Sequence, residues 1–184
     1  MRLGATWTTP VGRSACAALA GLVAILLPGR STSAQVAASA LRGADVQAIL
    51  GEIRKPGAKA VLVNVWATWC DPCRAELPLL LKFFREHGDE GLRLVLVSAD
   101  DEADRDKVVS FLASQGVDFA TWMKRGDDMT FINALDPKWS GALPASLLFD
   151  GRGRAQQHWY GEVTADALKT AWYRLVPRRK GRTP

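Results

Sequence analysis

The sequence predicts an α/β domain, a central mixed β-sheet flanked by helices and preceded by an export signal. Three observations carry this reading. Residues 61–66 and 92–98 are nearly continuous apolar runs, the pattern of strands buried on both faces. Helix-type and strand-type segments follow one another in the order α-β-α-β-α, an irregular stretch, then β-β-α. Between the first strand and the helix after it stands Cys70-Asp71-Pro72-Cys73. Early β-α-β units of this kind pair in parallel through right-handed crossovers, and a terminal hairpin adds antiparallel strands.

From the N-terminus, Arg2 and Arg13 precede the apolar run 15–27, which Pro28-Gly29 ends. Small residues follow at Thr32-Ser33-Ala34 and at Ala38-Ser39-Ala40. This is the layout of a secretory signal peptide over residues 1–34, with a run shorter than the roughly 18 residues of a spanning helix. An uncleaved N-terminal anchor is the second reading. Residues 35–41 read as a linker, 42–176 as the folded domain and 177–184 as a basic flexible tail. Within the domain, Val46, Ile49, Leu50 and Ile53 space a first helix from Arg42, broken by Lys55-Pro56-Gly57. A helix from Cys70 to His87 tolerates Pro72 in its first turn, meets a kink at Pro78 and stops at Gly88. The acidic run 100–106 reads as a cap and solvated face leading into a helix with Val108, Val109, Phe111 and Leu112 inward. Residues 117–140 are the least regular, with a short helix expected over 128–135. A strand at 145–149, a turn at Asp150-Gly151-Arg152-Gly153 and a returning strand at 155–160 make a hairpin. Thr164 caps the last helix, with Leu168, Ala171, Trp172 and Leu175 inward.

The formal charge is +5, but the basic excess lies at the two ends, and the stretch between them is slightly acidic. No basic face for nucleic acid follows. The Arg178-Arg179-Lys180 tail is a solvated end, with weak contact to anionic lipid headgroups as its other reading. Cys16 lies inside the signal, so export leaves Cys70 and Cys73 as the only cysteines. A disulfide closing so short a loop constrains the unfolded chain little, so turnover explains the pair better than stability does.

At a helix N-terminus the first thiol meets the partial positive charge of unpaired N–H groups, which lowers its pKa and makes it an attacking thiolate. Cys70 is then the nucleophile and Cys73, one turn inward, the resolving thiol. Half of a zinc site is the alternative, but His87 and His158 are not spaced as partner ligands, and no metal is expected. Asp71 places negative charge beside Cys70, which opposes part of the dipole's effect and favours a reducing couple. Pro72 stiffens the ring. Trp69 lines a groove beside Cys70, and Trp66 belongs to the core. Trp122 and Trp139 read either as packing or as substrate surface, and both histidines as surface residues.

The segments 61–78 and 141–150, carrying Trp66-Ala67-Thr68-Trp69-Cys70-Asp71-Pro72-Cys73 and Leu143-Pro144-Ala145, resemble the thioredoxin superfamily. More narrowly, they resemble the bacterial extracytoplasmic TlpA/ResA-like thiol–disulfide oxidoreductases. The resemblance implies a thioredoxin fold, with Pro144 as a cis-proline against the cysteine pair and Leu143 offering its backbone to an extended substrate. It implies a proton-handling role for Glu76, three residues after Cys73 on the same helical face. Asn64 stands where thioredoxins carry a buried aspartate, which leaves Glu76 as the available carboxylate. The extra N-terminal hairpin common in this branch is not expected here. The family reading is a periplasmic, monomeric reductant of disulfides in exported proteins, such as apocytochrome c or copper-centre cysteines. It would be recharged by a membrane electron donor of the DsbD/CcdA type, with the cysteine pair as its redox group and no other cofactor. A DsbA-like oxidant and a non-catalytic Cu(I)-binding module are the alternatives.

Overall fold

The computed structural model describes residues 33–177. The stretch 1–34 read as an export signal, save its last two residues, and the tail from residue 178 lie outside the described residues. The described chain runs α1 (Ser33–Ala40), β1 (Leu41–Ala44), α2 (Val46–Arg54), β2 (Ala60–Trp66), α3 (Asp71–His87) and β3 (Leu92–Ser98). A 3-10 turn over Glu102–Asp104 leads into α4 (Arg105–Ser114). Then come β4 (Thr121–Lys124), α5 (Asp128–Leu135), β5 (Ala145–Asp150), β6 (Ala155–Tyr160) and α6 (Ala165–Leu175).

The six strands form one mixed sheet in the order β1-β4-β3-β2-β5-β6. β2 sits at its centre, parallel to β3 and antiparallel to β5. Alternation along β2 divides the core in two. Leu62 and Trp66 face the layer of α3 and α6, with Leu77, Leu80, Phe83, Leu168 and Trp172. Val61, Val63 and Val65 face α2 and α5, with Ile49, Ile53, Phe131 and Leu135. Asn64 shares the first face and is buried there. Side-chain caps fix the helix starts: Asp45 accepts from Ala48 N–H at 2.9 Å, Asp127 from Thr130 N–H at 2.8 Å, and Thr164 from Ala167 N–H at 3.2 Å. The β5–β6 ladder carries a register irregularity at Leu148/Phe149. No helix among the described residues is long and apolar enough to cross a membrane.

The expected mixed sheet with flanking helices is present, and α5 and β6 fall on the residues read for them. Several details differ. The stretch 35–41, read as a linker, forms α1 and the first residue of β1, so the fold begins before residue 42. Residues 41–44 are an edge strand rather than the start of a helix, because Leu41 to Ala44 pair with Thr121 to Lys124. That partner, β4, lies inside the stretch read as irregular. Strands of four residues are too short for periodicity to announce them. By contrast, α3 contains Pro78 and runs to His87, as read from the sequence.

Candidate active site

The site forms where β2 gives way to α3. Ala67 and Thr68 lead from the strand to the exposed Trp69, and Cys70 is the N-cap of α3. Cys70 Sγ accepts a hydrogen bond from Cys73 N–H at 3.3 Å, so this sulfur takes the place of a capping oxygen. The two cysteines are closed into a disulfide with Cα atoms 5.3 Å apart. Cys70 is 6% exposed and Cys73 2%. The helix N-terminus that stabilises a thiolate on Cys70 is therefore in place. Asp71 and Pro72 occupy the first turn. Asp71 turns its carboxylate to solvent and pairs with Arg74 at 3.4 Å.

A buried carboxylate holds the loop in front of Cys70. Asp100 accepts from Thr68 N–H at 3.0 and 3.1 Å, from the Thr68 hydroxyl at 2.5 Å and from the Ser98 hydroxyl at 2.7 Å. Ala99 N–H donates to Trp66 O at 2.7 Å, tying the ends of β2 and β3 together. Asp100 was expected on a solvated face and is instead buried. The signal available in the sequence was its place two residues past a doubly buried strand, level with the Cys-x-x-Cys loop.

Glu76, one turn beyond Cys73, is 4% exposed. It projects towards the β2–β5 pair, where Asn64 and Ser146 stand directly opposite each other. Asn64 Nδ2 donates to Ser146 Oγ at 3.0 Å, and the Ser146 hydroxyl lies 3.5 Å from Glu76 Oε1. Val163 N–H donates to the same Oε1 at 3.2 Å, while Oε2 has no hydrogen-bond partner among the described residues. Burial pushes the Glu76 pKa up to about 7. The Val163 and Ser146 hydrogen bonds only partly offset this, and Glu162 raises it further. Asn64 and Ser146 supply hydrogen bonds and no charge.

The Leu143–Pro144 peptide is cis, and Pro144 is buried at the head of β5, beyond the Val65/Ala145 pair that ends the β2–β5 ladder. Trp69, 66% exposed, stands between two depressions. One is an open hollow of about 720 Å³ towards Phe111, Arg74 and Lys107. The other is a cleft of about 160 Å³ lined by Val65, Phe131, Ile132, Trp139 and Leu143, with the Lys124–Asp128 ion pair at its wall. Trp139 is thus both packed and cleft-lining, while Trp122 is buried and Trp66 is core. Neither histidine is the free surface residue expected. His87 is buried among Phe83, Trp172 and Tyr173 and pairs with Glu90, and His158 is partly covered and contacts Asp136. Among the described residues no three His, Cys, Asp or Glu side chains gather as metal ligands.

Two outcomes follow from this geometry. The folded protein keeps Glu76 protonated up to about pH 7, whereas the unfolded chain releases that proton near 4.5. Native protein thus binds more protons in that window, and its stability falls as pH rises through it. In thermal melts of the oxidised protein, Glu76→Gln should gain on wild type between pH 5 and pH 8, and an equal difference at both pH values would contradict the raised pKa. Asp100→Ala strands the Thr68 N–H and should cost about 1–3 kcal/mol with faster amide exchange at Thr68, while Asp100→Asn, which keeps an acceptor, should cost less. Equal losses in guanidinium titrations of the two variants would refute the anchoring role.

Residues 36–158 match the AhpC/TSA family. The chain is 27% identical to the thiol-disulfide oxidoreductase ResA of Bacillus thuringiensis over 126 residues, 68% of this chain and 69% of that protein. It is 35% identical to the thiol:disulfide interchange protein DsbE of Escherichia coli over 118 residues, 62% of this chain and 58% of that protein. The solved structure of a thioredoxin-related protein from Neisseria meningitidis superposes with a TM-score of 0.57 at 26% identity, covering 66% of this chain and 87% of that one. Together with a strand-to-helix disulfide and a cis-proline at the head of the neighbouring strand, these likenesses identify a thioredoxin-like fold and a thiol–disulfide oxidoreductase whose redox group is Cys70–Cys73, and the chain belongs to the AhpC/TSA family.

Proposed function

We propose that the protein is exported and reduces disulfides in other exported proteins, such as the haem-attachment cysteines of an apocytochrome c or the cysteines of a copper centre. The observation that carries this reading is Cys70 as the N-cap of α3, beside the exposed Trp69 and the cis Leu143–Pro144 segment. In the reduced form the Cys70 thiolate attacks one sulfur of a substrate disulfide. A mixed disulfide forms, and the other substrate sulfur leaves as a thiolate and takes a proton. Cys73 gives its proton to the Glu76 carboxylate and attacks Cys70 Sγ, which releases the second substrate thiol and closes Cys70–Cys73. Two electrons pass to the substrate. A membrane donor of the DsbD/CcdA type returns them by the reverse exchange.

Leu143 offers backbone groups to an extended substrate strand, and Trp69 packs beside the reacting sulfur. The Glu76 pKa near 7 suits it to take and release a proton at neutral pH. Asp71 tempers the pull of the helix dipole on Cys70, which favours a reductant, and Pro72 stiffens the ring.

Cys73→Ser in the native host should freeze Cys70 in mixed disulfides with its partners, which mass spectrometry identifies. Absence of any Cys70 adduct would overturn the exchange reading. A redox titration separates reductant from oxidant: the midpoint should lie nearer the roughly −270 mV of thioredoxin than the roughly −120 mV of DsbA. With Glu76→Gln, the pH profile of Cys73 alkylation in the reduced protein should move to lower pH, because the carboxylate charge that opposes a neighbouring thiolate is gone. An unmoved profile would remove Glu76 from the mechanism.

A further inference from the structure

At the C-terminal end of α5, one carboxylate gathers two ring side chains. Asp136, just past the end of α5, is buried. Its Oδ1 accepts from Lys138 N–H at 2.9 Å, closing a turn. Its Oδ2 accepts from the Tyr160 hydroxyl and from His158 Nδ1, and His158 Nδ1 lies 3.2 Å from Tyr160 Oη. One tautomer meets these contacts, with the His158 proton on Nδ1 and both rings donating to the carboxylate. Both rings come from β6, an edge strand with no fully buried residue.

The same short stretch of chain also holds the other end of the loop. Gly161 N–H donates to Pro144 O at 2.8 Å, and Tyr160 pairs in register with Ala145. Residues 136–144 are therefore gripped at their start through a side chain and at their finish through the backbone. Between these grips, Trp139 N–H donates to Asp136 O at 3.0 Å, and the Trp139 indole N–H donates to Ala142 O at 2.8 Å. The residues so fixed include Trp139, Gly141 and Leu143, which line the cleft beside Trp69.

We infer that Asp136, His158 and Tyr160 form a brace that positions the Trp139–Leu143 wall of the substrate cleft, making them positioning residues for protein substrates. The inference rests on the proposed function in so far as Leu143 receives substrate. Burial works against an ionised Asp136, yet Tyr160, Lys138 N–H and His158 together hold its carboxyl below the usual carboxylate range. It is thus a charged acceptor at neutral pH, which strengthens the hydrogen bonds it receives. Because the brace touches the wall and not the sulfurs, it governs substrate binding and leaves thiol chemistry alone.

The test is Tyr160→Phe, which removes the hydroxyl and keeps the ring, measured in reduction of insulin with dithiothreitol as electron source. KM should rise about fivefold, roughly the worth of one hydrogen bond, with kcat and the rate of Cys70 alkylation unchanged. Asp136→Asn, which keeps one acceptor for Tyr160, should fall between Tyr160→Phe and wild type. Amide exchange at residues 138–143 should speed up in Tyr160→Phe. An unchanged KM, or a kcat and alkylation rate that fall with it, would overturn the brace. Should wild type fail to reduce insulin, the proposed function fails, and the exchange measurement alone then decides the brace, unchanged protection refuting it.

Discussion

Four residues separate the end of β2 from the start of α3, and the chemistry of the molecule hangs on how they are held. The strand is buried on both faces and cannot shift without disturbing two cores. Its last carbonyl is tied to β3 through Ala99, and Thr68 is fastened to Asp100. Cys70 then meets the one geometry in which its sulfur replaces a capping oxygen, accepting the N–H of Cys73. Slack anywhere in this join would separate the sulfur from the amide dipoles that favour its ionised form.

Behind the disulfide the design turns from dipoles to burial. Thioredoxins usually carry an aspartate on the central strand. Here Asn64 and Ser146 face one another as neutral partners, and the carboxylate comes from the helix as Glu76. With one oxygen bonded and the other unpartnered, Glu76 is held where its proton is nearly as well kept as lost. A buried acid in that condition lowers native stability at neutral pH, a cost that packing around Leu77, Leu80 and Trp172 must offset.

What could be read from the residues was whatever announces itself locally. The apolar runs of β2 and β3, the cap at Thr164, and the turn at Asp150–Gly153 all carry their physics in adjacent positions. The Cys-x-x-Cys stretch likewise marks its own strand-to-helix junction. The misreadings arose where distant segments decide. β1 and β4 are strands because they pair with each other and extend the sheet beyond β3, and α1 is ordered by docking on the fold. Asp100 sits in a stretch whose acidity looks like solvated surface, and Thr68, 32 residues away, makes it an interior acceptor. His87 looked solvated for the same reason, until Trp172 and Tyr173 folded over it.

The outer border of the sheet has a bearing on how the protein meets copies of itself. β6 presents Ala155, Gln156, Gln157 and His158 along its length, and its ladder to β5 breaks step at Leu148/Phe149. A ladder that breaks step makes this edge a poorer template for another chain's backbone. On the proposed function the working face admits extended foreign segments, and such an edge discourages their recruitment at the flank, where stacking of strands would lead to insoluble fibres.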